Sequence, residues 1–133
     1  MVDHIKRINP AWNVMNHVYP VYLPEPLYGN RLKVDFCGQT VAWFFIWPGE
    51  KVRRYASVTV GRQNQYFGHV KGVPFVGFGR SAAFDRKTPV ILERELKTIL
   101  DCGAESLMMH AFAEAADDPE IFAVLAEYCS HEP

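Results

Sequence analysis

The stretch Gly72-Val-Pro-Phe-Val-Gly-Phe78, then Thr88-Pro-Val-Ile-Leu-Glu-Arg-Glu-Leu-Lys-Thr-Ile-Leu100, then Ser106-Leu-Met-Met-His-Ala-Phe112 and Asp118-Pro-Glu120 decides the fold. Val73–Phe78 is a short apolar run bounded by glycines and reads as a buried strand. Thr88 reads as an N-cap with Pro89 at the first helical position, and Gly103 follows the end. Between them Leu92, Leu96, Ile99 and Leu100 recur at helical spacing, predicting one apolar stripe over Pro89–Cys102. Ser106–Phe112 is a second buried strand. Asp118-Pro119 opens a last helix whose inner face carries Ile121, Leu125 and Tyr128. Strand, helix, strand, helix with short connections implies βα units and a parallel sheet. Such sheets carry their sites beyond the carboxyl ends of the strands.

The pattern extends toward the N-terminus with less regularity. Met1–Asn16 has little periodicity, and Asn9-Pro10 marks an irregular lead-in. His17–Leu23 is rich in β-branched and aromatic residues and reads as the first strand; Pro20 places it at an edge or a bulge. Pro24-Glu25-Pro26 stops it. Thr40–Trp47 is apolar on both faces, as a central parallel strand should be. Pro48-Gly49-Glu50 turns into a helix with Val52, Tyr55 and Ala56 on one face, and Arg62–Lys71 reads as polar loop. The expectation is an α/β chain forming one domain over residues 1–133, with about four βα units. Its sheet is either half-barrel-like or an open, flavodoxin-like three-layer sheet.

Composition excludes several function classes. The 133 residues carry a net charge of −1, with scattered Lys and Arg. That gives no footprint for nucleic acid or an anionic membrane surface. No run approaches the ~18 apolar residues of a membrane span. No apolar leader follows Met1, and Cys37, Cys102 and Cys129 include no close pair, which reads as free thiols in a cytoplasmic protein. No metal is expected, because the five histidines are dispersed without ligand spacing. No cofactor is expected either, since G-x-G-x-x-G and the Walker A loop are both absent.

Residues 17–130 resemble part of a (β/α)8 barrel of glycoside-hydrolase-like type. Thr88–His110 is similar to the closing half of such a barrel, where a helix ending in Gly103-Ala104 feeds a late strand. Tyr22-Leu-Pro-Glu25-Pro and Val41-Ala-Trp-Phe-Phe look like barrel strands running up to their loops. The resemblance implies a carbohydrate or other small-molecule ligand at the strand ends, and glycoside hydrolysis there. Such chemistry takes two carboxyl groups. Glu25, held between prolines, is the expected acid, with Glu114 or Asp85 as the second group. His110 is an expected base or proton shuttle, set against the plain alternative of a core histidine. Arg80, in Gly77-Phe-Gly-Arg-Ser, is placed to bind an anionic group, and Trp47 and Tyr28 to stack on a sugar. A full barrel takes about 250 residues, so the chain reads as a half-barrel closing against its own copy or completed by another chain, as a fragment, or as the open sheet. The function read from another class is a non-catalytic α/β domain that binds a protein partner or completes a larger assembly.

Overall fold

A computed structural model of the chain describes residues 1–18, 34–42, 45–66, 71–78 and 87–129. Their elements run α1 (Val2–Ile8), β1 (Met15–Val18), β2 (Phe36–Ala42), α2 (Gly49–Tyr66), β3 (Lys71–Gly77), α3 (Pro89–Leu100), β4 (Met108–His110), α4 (Phe112–Ala116) and α5 (Pro119–Cys129). The four strands form one sheet in the order β1-β2-β3-β4, and every neighbouring pair is parallel. Sequential parallel strands joined by crossovers of one hand place their helices on one face. The sheet therefore curls away from them, and the fold is an α/β half-barrel of about four βα units.

Side-chain alternation assigns the two faces. Gln39, Val41 and Val76 point to the helices. There Val41, Ala42, Val52, Ala56, Val76, Phe78, Leu92, Leu96, Ile99, Ala115, Ile121 and Leu125 form the main core. Buried Thr59 on α2 shares its hydroxyl proton between Gln39 Oε1, at 3.1 Å, and the Tyr55 carbonyl, at 2.8 Å. This ties β2 to α2 across the layer. The opposite, concave face carries Met15 and His17 of β1, Phe36, Gly38 and Thr40 of β2, Val73 and Phe75 of β3, and Met108 and His110 of β4, which the registers place in rows.

Capping chemistry sets the helix starts. Thr88 Oγ1 accepts from Ile91 N at 3.3 Å, with Pro89 in the first turn. Asp118 Oδ1 accepts from Glu120 N and Ile121 N. Gly103 takes φ +85, the left-handed conformation that glycine adopts without a Cβ clash.

Several boundaries differ from the sequence expectation. The lead-in contains α1, whose Lys6 pairs with Asp35 at 2.8 Å while Asp35 also accepts from Val14 N. The second strand is Phe36–Ala42, so Trp47 lies beyond it in the turn before α2. Helix α2 runs on through Ser57-Val-Thr-Val and Gly61 to Tyr66, into the segment expected as loop. Packing of Val52, Ala56 and Thr59 against the sheet overrides the weak helix propensity there. The last strand shortens to three residues because Phe112–Ala116 turns into α4. Residues 19–33, which hold most of the expected first strand, lie outside the described residues.

Pro74 stands inside β3, where a proline is normally excluded. Phe78 N–H donates to the His110 carbonyl. N–H directions alternate along a strand, so the donor that Pro74 lacks would also point toward β4. β4 begins one register step later, opposite Phe75. No ladder bond is lost.

Candidate functional site

The site is built from the concave face near the carboxyl ends of the strands. His17, near the end of β1, lies with Nε2 2.9 Å from Thr40 Oγ1 on β2, a hydrogen bond whose donor is set by the imidazole tautomer. Its ring also stacks on Phe75 of β3, with centroids 4.0 Å apart and planes at 27°. On the other side of Phe75, the His110 ring centroid from β4 lies 6.3 Å away. Thr40 and Phe75 are buried while both histidines are exposed. The result is two imidazoles flanking one apolar ring, with a hydroxyl beneath. Partial burial, and then the neighbouring His110, pull the His17 pKa below its usual 6.5.

Curvature makes this possible. A flat sheet separates second-neighbour strands by roughly 10 Å, yet His17 on β1 reaches Phe75 on β3. In the same way Met108 on β4 reaches over β3 to β2. A Cβ added to Gly38 would meet Met108 Cε at 2.5 Å and Sδ at 3.1 Å. Gly38, in register with His17, is thus the gap that receives the Met108 thioether. Beyond β4 the ladder continues, with Ala111 N–H donating to the Phe78 carbonyl at 3.1 Å. The His110–Ala111 peptide bond is cis.

The structure places the sequence-selected residues unevenly. His110 is at the expected strand end and on the concave face. Trp47 is half-buried against the core, one face of its ring covered by Lys51 Nζ at 3.7 Å from the centroid and its side met edge-on by Tyr55 at 5.4 Å. A sugar stacking on that face would displace Lys51. Glu114 is exposed on α4, after β4. Glu25, Tyr28, Arg80 and Asp85 lie outside the described residues.

Sequence reasoning missed His17 as a site residue. Its only signal was an ionisable side chain at the head of a β-rich run, and its partners come from two other strands. Reasoning also missed Lys87 and Glu95, whose side chains are both 1% exposed and joined at 2.7 Å. Burial pushes the Glu95 carboxyl up and the Lys87 ammonium down, each opposed by the attraction of the other. Among the described residues Glu95 Oε1 has no hydrogen-bond partner. Glu95 falls within the Leu92–Leu96–Ile99 stripe, a charge on an apolar face that was itself a legible signal.

Among the described residues no group of three or more His, Cys, Asp or Glu is placed to hold a metal ion. Among them, too, no helix is long and apolar enough to cross a membrane. Cys37 is buried, and desolvation raises its thiol pKa to about 11, which keeps it protonated and unreactive. No protein-family model, curated protein or solved structure matches the chain.

Proposed function

We propose that the chain binds carbohydrate at the carboxyl ends of its strands, with His17 and His110 as its polar contacts and proton carriers. The observation that supports this is the arrangement of His17, Thr40, Phe75 and His110 on the concave face. Sugars present hydroxyls around apolar C–H patches. Imidazoles beside an aromatic ring answer both kinds of surface. An imidazole held neutral near pH 7, as burial favours for His17, can both accept and donate a proton. Under this reading Glu25, Arg80, Tyr28 and Asp85 contribute as well, and hydrolysis would use Glu25 as the acid with a second carboxyl group.

Calorimetric titration with cellobiose, maltose, xylobiose and chitobiose tests the reading. Saturable binding of at least one sugar is expected, weakened tenfold or more by His17→Ala or His110→Ala. Glu25→Gln should keep that binding and abolish any turnover of aryl glycosides. No heat from any of the four sugars, or binding indifferent to both histidines, would remove the reading.

A second reading, a module that completes a larger assembly, is favoured by a separate observation. Among the described residues β1 and β4 each pair with one neighbour only, and exposed apolar side chains stand beside both, among them Met15 and Phe112.

A further inference from the structure

We infer that two copies of this chain close into one eight-stranded parallel barrel, the β4 edge of each pairing with the β1 edge of the other. The inference rests on the assembly reading and names a second copy as the occupant of both edges.

Topology carries the first part. Within the described residues the sheet is open, with β1 and β4 at its ends. Open edges are usually blunted by lysine, proline, a bulge or an inward charge. Neither Met15-Asn-His-Val18 nor Met108-Met-His110 contains lysine, proline or an acidic residue. The register shift in this sheet falls in β2, away from both edges. Nothing in the sequence of either strand therefore blocks pairing.

Geometry carries the second part. The sheet already curls enough for His17 to stack on Phe75 and for Met108 to fill the space over Gly38. Four such strands are half of the eight whose closure leaves an interior just filled by side chains. A two-fold axis along the barrel keeps all eight strands pointing one way. β4 then meets the partner's β1 in parallel, as every other neighbouring pair meets. One rotation makes two identical junctions and leaves no free edge. A foreign chain would need both complementary edges on a sheet of matching curvature, whereas a second copy has them by construction.

The surfaces agree. Beside β1, Trp12 and Met15 are each 53% exposed, and Met15 shares the concave face, where a closed barrel would cover it. Beside β4, Leu107, Met109, Phe112, Phe122, Leu125 and Ala126 line an apolar groove of about 460 Å³. A net charge of −1 sets up little repulsion between copies. Closure would also bring two sets of His17, Phe75 and His110 to one barrel mouth, so the site of a single copy is incomplete.

Light scattering of the full chain tests the inference, alongside Met15→Lys and Phe112→Lys. Both substituted side chains are more than half exposed, and circular dichroism checks that each variant keeps its helices. The wild type is expected at twice the chain mass, and each variant at the single mass with an unchanged spectrum. A wild-type monomer would overturn the second copy as occupant. A dimer broken by only one of the two substitutions would also overturn it, because a dimer that pairs like edge with like edge uses one edge alone. Amide exchange separates this failure from that of the assembly reading. In a monomer, fast exchange along β1 and β4 leaves both edges open to some other chain, and slow exchange along both removes that reading too.

Discussion

Gly38 and Met108 show how single residues set the concave surface. Glycine at position 38 leaves the room that the Met108 thioether occupies, and the atoms that a Cβ would strike are the flexible end of that side chain. Gly38→Ala should therefore be tolerated but strained, at about 1–3 kcal/mol by the usual cost of overpacking. Met108→Ala in the same chain should return part of that loss. Urea unfolding of the two single variants and the double variant measures the coupling, and strict additivity would mean that the two residues do not meet. His17 belongs to this scale as well. Its position in the chain says only that it sits in a run suited to a strand. Its contact with Phe75 depends on two registers, Val18 with Gln39 and Thr40 with Phe75, which no local pattern encodes.

Elements were legible where their signals were local. Thr88-Pro89 with Gly103, and Asp118-Pro119, mark α3 and α5 because caps and terminal prolines act within one turn. The strands of the second half fell near their expected positions, since short apolar runs between glycines have few other uses. α2 was legible at its start and not at its end, because burial against β2 and β3 extends it through β-branched residues. Glu95 of α3 also forms a buried pair with Lys87, which lies just before the helix, and a propensity argument does not anticipate it. Glu95→Ala would leave the Lys87 ammonium buried without a partner, and should cost about 3–5 kcal/mol. Replacing both residues by apolar ones, as in Lys87→Met with Glu95→Leu, should cost less than the single change, because no charge is then left in the core. Chemical denaturation of the single and double variants decides this. A double variant less stable than Glu95→Ala would show that the pair itself stabilises α3.

At the scale of the whole molecule, the α/β class and the half-barrel curl accord with the sequential order of four parallel strands and with the general preference for crossovers of one hand. The repeated βα punctuation already pointed there. The functional reading stands on less, because a parallel half-barrel accommodates many chemistries and only the side chains on its concave face discriminate among them. The central claim is that curvature brings His17, Phe75 and His110 into one site. If so, the two imidazoles feel one another across the ring. NMR titration of the His17 imidazole in the wild type and in His110→Gln tests this most directly. The account predicts that His17 titrates below 6.5 in the wild type, and that its pKa rises part of the way back when His110 is replaced, because burial remains as the larger cause. A His17 that titrates at or above its ordinary value, or that ignores the replacement of His110, would contradict the shared site.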